Sequence, residues 1–281
     1  MSIVVNNNIA SLIAQRNLNN STQNLIKSIE RLSSGYRINR ASDDAAGLSI
    51  SENLRAQIRG NAKAMNNIQD GINMLSIAEG GLAVIGENMQ RIRELCIQAA
   101  NETNATSEKN AILSEINARL SDINRISGSA QFNNLSLLDG TLSSAKLQIG
   151  AGSASINVID ISAVLSESVD SSTIGVSLSV TGATWSGDNI RSYLDSIDTA
   201  LNTISEKRSN LGAFQNRLES ALENLTVMNE NLQSAESRIR DLDVAAESAN
   251  MTKYQILQQA SASVLSQANR IQQIALPLIQ G

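Results

Sequence analysis

The sequence has no histidine, one proline, one cysteine and very few aromatic residues, which make up 2% of its 281 positions. Without histidine, the chain lacks the commonest general base and the commonest metal ligand of proteins. A single cysteine, Cys96, excludes an internal disulfide. A chain so poor in aromatic residues has to build its core from aliphatic stripes. The lone Pro277 leaves every helix upstream of it free of proline breaks.

Basic charge and long apolar runs are also scarce. The chain has 22 Lys and Arg against 27 Asp and Glu, for a formal net charge of −5. An acidic chain has the wrong sign for binding phosphates, so we expect no nucleic-acid partner. No stretch approaches 18 consecutive apolar residues, which predicts no membrane insertion, and the start lacks the features of a cleaved signal peptide. No phosphate loop, zinc spacing or nucleophile motif is present, so we expect no cofactor and no enzymatic activity.

Helical periodicity is what the sequence has in abundance. Residues 44–100 carry apolar residues seven positions apart, which are Ile68, Leu75, Leu82, Met89 and Cys96. Residues 190–242 carry a longer series, which is Ile190, Ile197, Ile204, Leu211, Leu218, Leu225, Leu232 and Ile239. This spacing is typical of coiled coils, and each long helix needs a partner for its apolar face. The two helices are predicted to pair, and the pattern leaves parallel and antiparallel arrangements open.

The middle of the chain changes character. Residues 105–128 predict a shorter helix, and from 131 to 188 the helical period disappears. Alternating Leu147 and Ile149, a glycine-containing turn, and alternating Ile156 and Val158 predict a β-hairpin. A further strand is predicted by Ile174, Val176, Leu178 and Val180. Because residues 161–188 are polar and rich in Ser and Thr, we expect a short, variable surface segment there.

The two chain ends are predicted to be helices with narrow apolar stripes. The candidate assembly residues are Leu18, Leu25, Leu32, Ile256, Leu257, Val264 and Leu265. Neither end has an obvious partner within the chain, so each is expected to order on contact with another copy. The fold class is therefore mainly α, a long coiled-coil-like helical bundle of N- and C-terminal segments with a small central β-hairpin region.

Two adjacent carboxylates, Asp43 and Asp44, have two possible interpretations. They could hold a metal or act as an acid–base pair. They also stand immediately before a predicted helix, where acidic residues favour the positive end of the helix dipole and Ser42 could cap the first turn. The helix start is the expected interpretation.

Several stretches together resemble bacterial flagellin. They are ERLSSGYRIN at 30–39, SDDAAG at 42–47, QRIREL at 90–95, QAAN at 98–101, QFN at 131–133, SRI at 237–239, NM at 250–251 and QILQQA at 255–260. The resemblance covers about residues 1–150 and 190–281. It implies a structural subunit that polymerises with copies of itself into the helical filament of the extracellular bacterial flagellum, for motility.

The resemblance also implies a domain organisation and a set of partners. Residues 1–44 with 240–281 would form an inner terminal-helix domain. Residues 45–239 would form a helical rod domain with the hairpin, including the variable segment 161–188. Implied partners are the flagellar export apparatus, a secretion chaperone on the C-terminal segment, and hook-associated and cap proteins.

A host partner is implied by the same resemblance. In many flagellins, Toll-like receptor 5 binds the region that matches residues 90–95 here. The matching candidate contacts are Met89, Arg91 and Glu115. Arg91 and Glu115 could equally be solvated surface charges or contacts between subunits in the filament. Alternatives for the whole chain are a hook–filament junction protein, a minor flagellin, or an enzyme exported by the same route. The motifs at 33–35 and 255–260 favour the filament subunit.

Overall fold

The computed structural model describes residues 7–176 and 187–275, with backbone alone for 187, 188 and 271–275. It confirms a mainly α fold with a small β region between long helices. In chain order the elements are α1 (Ile9–Ser34), α2 (Ala45–Ala99), α3 (Thr106–Ser129), β1 (Gln131–Phe132), β2 (Leu135–Ser136), β3 (Lys146–Gln148), a 3-10 turn (Ser155–Asn157), β4 (Val158–Asp160), α4 (Ser162–Leu165), α5 (Gly187–Arg240) and α6 (Val244–Ala275). None of the helices described is both long enough and apolar enough to cross a membrane.

The chain divides into two compact units. One comprises residues 1–56 and 231–281, and the other comprises residues 57–230. Both divisions fall inside the long helices α2 and α5, so each of these helices contributes to both units. The domain boundaries expected from the sequence, at 44 and 240, coincide with the start of α2 and the end of α5. The boundaries between the two compact units lie inside these helices, after residues 56 and 230.

In the first unit, the terminal helices α1 and α6 pack against each other in antiparallel orientation. The Asn8 side chain donates to the carbonyl of Ala268 at 3.0 Å, and Gln258 donates to the hydroxyl of Thr22 at 3.1 Å. Residues later in α1 therefore contact residues earlier in α6, as in an antiparallel helix pair. The expectation that the chain ends have no partner within the chain was wrong, because each end covers the other.

The loops that follow α1 and α5 are also joined in this unit. Gly35 ends α1 in the left-handed region, at φ 76°, which a glycine adopts without steric cost. The next residue, Tyr36, forms an antiparallel bridge with Asp241. The Arg240 guanidinium lies 4.6 Å from the Tyr36 ring centroid and contacts Glu52 at 2.9 Å. The ends of α1 and α5 are therefore held together by backbone and side-chain contacts.

The start of α2 is capped by a different residue from the one expected. Asp44 accepts a hydrogen bond from the backbone N–H of Gly47 at 2.8 Å, as an N-cap side chain does, whereas Ser42 is exposed. The neighbouring carboxylate of Asp43 binds Lys27 at 2.7 Å and accepts from the N–H groups of Asn39 and Arg40. Asp43 and Asp44 thus have structural partners of their own, as the helix-start interpretation expected.

In the second unit, α2 and α5 pair in antiparallel orientation around the predicted aliphatic stripes. The series Ile68, Leu75, Leu82, Met89 and Cys96 is fully buried, and on α5 the residues from Ile190 to Leu225 in the series are nearly so. Arg93 meets Asp198 at 2.6 Å, and Thr226 meets Met65 at 3.6 Å, which defines the antiparallel alignment. Helix α3 adds Ile116 and Ile123 to the same core.

The predicted β-hairpin is present with a shifted register. Strands β3 and β4 are antiparallel, with Leu147 opposite Ile159. Ile156 was expected in the second strand, but it lies in the 3-10 turn and is 83% exposed. The strand begins two residues later because Ile159 is the residue that the core buries. A second short antiparallel pair, β1 with β2, precedes it.

Residues 161–176 contradict the expectation of an exposed surface segment. Five of their aliphatic side chains belong to the buried core, namely Ile161, Leu165, Val169, Ile174 and Val176. The backbone around Ile174 forms hydrogen-bonded turns instead of the predicted strand. The many Ser and Thr residues suggested an exposed segment. A few widely spaced aliphatic residues are nevertheless enough to pack a turn-rich segment against the core. Leu178, Val180 and the rest of 177–186 lie outside the described residues.

Candidate assembly surfaces

The terminal helix α1 exposes five aliphatic side chains, with exposed fractions between 46% and 66%. They form one group near the start of the helix and another near its end, and they are Ile9, Leu12, Ile13, Ile26 and Ile29. They remain exposed because the other side of α1, with Ala14 and Leu25, is the side buried in the first unit.

Helix α6 has an exposed apolar surface of its own. Ile256 is 60% exposed, Leu257 41% and Val264 57%. Leu265 is half-buried instead, and it lies seven residues after Gln258, which bonds Thr22 of α1. Aliphatic side chains left in water are a free-energy cost that association with another surface can remove.

The candidate assembly residues therefore separate into two groups. Ile256, Leu257 and Val264 lie on exposed surface. Leu18, Leu25, Leu32 and Leu265 are buried or half-buried on α1 and α6, the two helices that pack against each other. The prediction missed the exposed residues of α1, because it followed the seven-residue series of leucines. The isoleucines of α1 could have revealed this surface, because they lie outside the seven-residue series of leucines.

A charged cluster covers the junction of α2 and α3. The Arg91 guanidinium contacts Glu94 at 2.9 Å and Glu115 at 3.3 Å, with about half of the Arg91 side chain exposed. These two hydrogen bonds raise the pKa of Arg91, and the bond to Glu94 has the larger effect. Met89 is fully buried in the core. A side chain inside the helical bundle presents no surface to a partner, so the burial of Met89 argues against it as a receptor contact.

Two side chains that could take part in a reaction, the thiol of Cys96 and the carboxylate of Asp43, have structural roles instead. Burial raises the pKa of the Cys96 thiol to about 12, so the thiol stays protonated and unreactive at neutral pH. The hydrogen bond from Lys27, together with those from the Arg40 and Asn39 backbones, lowers the pKa of Asp43 to about 2. Asp43 is thus a permanent anion at neutral pH and is poorly suited to general acid–base work.

Comparison with known families accounts for this architecture. The family described as the bacterial flagellin N-terminal helical region matches residues 5–143. The family described as the bacterial flagellin C-terminal helical region matches residues 194–279. The chain belongs to the bacterial flagellin family. In this flagellin, the N-terminal match contains α1, α2 and α3, and the C-terminal match contains α6 and most of α5.

Individual relatives match over their whole length. The chain is 44% identical over 278 residues to a flagellin of Halalkalibacterium halodurans, covering 99% of this chain and 100% of that protein. It is 40% identical over 302 residues to a flagellin of Bacillus subtilis, with 98% and 99% covered. It is 40% identical over 286 residues to a flagellar filament core protein of Brachyspira hyodysenteriae, with 99% and 100% covered. Among solved structures, a flagellin of Bacillus cereus aligns with a TM-score of 0.49 at 24% identity, over 61% of this chain and 94% of that one.

Proposed function

We propose that this flagellin is a structural subunit of the bacterial flagellar filament and that the exposed aliphatic surfaces of α1 and α6 are contacts between subunits. The observation that carries the proposal is the pair of terminal helices, each covered on one side by the other and exposing aliphatic side chains elsewhere. The whole-length relatives called flagellin and flagellar filament core protein support a filament subunit over a hook–filament junction protein. A structural role also fits the expectation that the chain is not an enzyme.

The contacts between copies would be heterologous, with different patches meeting. A heterologous contact whose rotation does not close a ring builds an open helix, as a filament requires. The terminal helices would form the inner domain of the polymer, from residues 1–44 and 240–281, and residues 45–239 the surrounding rod. Aliphatic contact area supplies the main driving force, at roughly 25 cal/mol for each Å² removed from water.

Seeded polymerisation tests the proposal. Purified subunit carrying Ile256→Ser and Val264→Ser is mixed with filament fragments, and elongation is followed by light scattering and electron microscopy. We expect unchanged helical circular dichroism, because both side chains are exposed, but at least about tenfold slower elongation. The matched control carries Gln255→Ser and Gln259→Ser on exposed positions of the same helix and should elongate normally. Wild-type elongation by the first variant would refute the proposed contacts.

Truncation separates the filament subunit from a junction protein. Removal of residues 1–30 or 250–281 should leave a helical monomer that does not elongate seeds, since the second unit retains its own core. A junction protein would bind filament ends once and stop, so full-length protein that caps seeds without extending them would favour that alternative.

The remaining partners belong to the same proposal. Filament assembly outside the cell requires passage through the flagellar export apparatus, and hook-associated and cap proteins would bound the growing polymer. The secretion chaperone would bind the C-terminal segment, whose α6 has an exposed aliphatic surface for it to cover. Co-expression with the chaperone should give a complex with wild-type protein and none with protein lacking 250–281.

We also propose the charged cluster at the α2–α3 junction as a contact for Toll-like receptor 5. Its support is geometric, since Arg91 and Glu115 come from different helices and meet at an exposed surface. Arginine with a planar head and an apolar stem is a favoured interface anchor. Met89 is not part of this proposal.

A further inference from the structure

Two buried asparagines interrupt the aliphatic seam between α2 and α5. Asn61 is 2% exposed and stands seven residues before Ile68, so it occupies the next position of the series that is otherwise Ile68, Leu75, Leu82, Met89 and Cys96. Asn229 is 9% exposed and stands seven residues after the half-buried Leu222 of α5. A polar residue at a seam position costs stability, so its presence calls for a physical reason.

The alignment of the helices brings the two asparagines to the same level. The hydroxyl of Thr226 contacts the sulfur of Met65 at 3.6 Å, which sets the local register. Asn61 lies four residues before Met65, and Asn229 lies three residues after Thr226. In an antiparallel pair, one turn back on α2 meets one turn forward on α5. The two side chains therefore occupy the same layer of the seam.

Their unsatisfied atoms are complementary. Nδ2 of Asn61, a donor, and Oδ1 of Asn229, an acceptor, have no hydrogen-bond partner among the residues that the structure describes. A buried amide atom without a partner is costly, and one donor together with one acceptor can satisfy each other. We propose that Asn61 donates to Asn229 after a small side-chain rotation, and that this amide pair fixes the register of α2 against α5.

The need for such a pair follows from the seam itself. A stripe of aliphatic residues with a seven-residue repeat can pack almost equally well after a slip of seven residues. Such a slip would place Asn61 opposite Leu222 and would leave both amides without a partner. The pair thus penalises the slipped alignment more than the native one, at the expense of some stability.

A double-mutant cycle tests the pairing. Asn61→Leu and Asn229→Leu are made singly and together in the full chain, and the midpoint of thermal unfolding is measured. Each single change leaves one buried amide facing leucine, so we expect the midpoint to fall by about 3 °C or more. The double variant should melt at or above wild type. As the control, Asn88→Leu removes a buried amide bonded to Arg119 elsewhere on α2, so its effect should add to that of Asn229→Leu. Additive effects of Asn61→Leu and Asn229→Leu would overturn the pair.

Cross-linking tests the register. In a Cys96→Ala background, Met65→Cys with Thr226→Cys reports the native alignment, and Met65→Cys with Glu219→Cys reports a slip of seven residues. After refolding under oxidising conditions, protein with both asparagines should form only the native cross-link. Protein with both leucines should also form the slipped one. If the leucine protein forms the native cross-link alone, the asparagines do not fix the register, and that part of the proposal fails.

Discussion

Gly60 on α2 faces Ala151 in the loop of the β3–β4 hairpin with no room for a side chain between them. A methyl group on Gly60 would lie 2.5 Å from Cβ of Ala151 and 3.2 Å from its Cα. Glycine is unfavourable in a helix interior by about 1 kcal/mol relative to alanine. Gly60 thus lets the hairpin approach α2 closely at some cost in helix stability.

Two glycine substitutions in α2 should therefore have opposite effects. Gly60→Ala would push against the backbone of the hairpin loop, so we expect the free energy of unfolding to fall by about 1 kcal/mol or more, after the gain in helix propensity is subtracted. Gly80→Ala, whose new methyl group would meet nothing within 4 Å, should raise it by up to about 1 kcal/mol. Urea denaturation of both variants provides the comparison. Stabilisation by both would show that the hairpin moves away from α2 without cost.

The capping residue of α2 can be identified by mutation. Asp44→Ala removes the side chain that accepts from the N–H of Gly47, and we expect a loss of about 1 kcal/mol in the free energy of unfolding. Ser42→Ala is the matched control, because Ser42 is exposed and should matter little. If the serine substitution proves the more damaging in chemical denaturation, Ser42 is the cap after all.

The Asp43 carboxylate should make stability depend on pH. Its pKa of about 2 in the folded protein lies below the ordinary value of 3.8, because Lys27 and two backbone N–H groups bond the ionised form. A lowered pKa in the folded state stabilises the protein above the ordinary pKa. That contribution is lost as the pH falls through 3.8 towards 2.

Comparison of wild type with Asp43→Asn measures this contribution. At pH 7 the variant should be less stable by about 1 kcal/mol, since the bonds to a charged acceptor are weakened. The difference should shrink steadily between pH 4 and pH 2, because the wild-type carboxyl takes up a proton there. Lys27→Met should give a similar loss at pH 7. A difference between wild type and Asp43→Asn that is the same at pH 2.5 and pH 7 would contradict the assignment.

The proposed receptor contact predicts a loss of signalling without a loss of stability. Arg91→Ala removes an exposed guanidinium, so monomer bearing this change should melt like wild type but activate Toll-like receptor 5 about tenfold less strongly. The matched control is Arg125→Ala on α3, which removes an exposed arginine bonded to Asp122 and should leave activation unchanged. A folded wild-type monomer that gives no response in receptor-bearing cells would end this proposal and leave the filament assignment intact.

The sequence by itself determined the helices and their apolar stripes. The series from Ile190 to Leu225 is buried as its spacing predicts, and Gly35, a residue type common just after a helix, ends α1. Periodicity and end signals act within a few residues of the same helix, so they can be read without knowing the rest of the fold. The family motifs added the function, because they are specific to a polymer-forming protein.

Only the tertiary structure decided what covers each stripe. The antiparallel alignment of α2 with α5, seen in Arg93 and Asp198, was open because a seven-residue repeat is satisfied in either direction. For the same reason, the sequence led us to expect Leu25 in contacts between subunits, whereas it is buried within its own subunit. It also led us to expect residues 161–176 on an exposed surface, whereas several of their side chains are buried. A stripe shows that a side chain seeks burial, but the identity of its partner depends on residues far away in the chain.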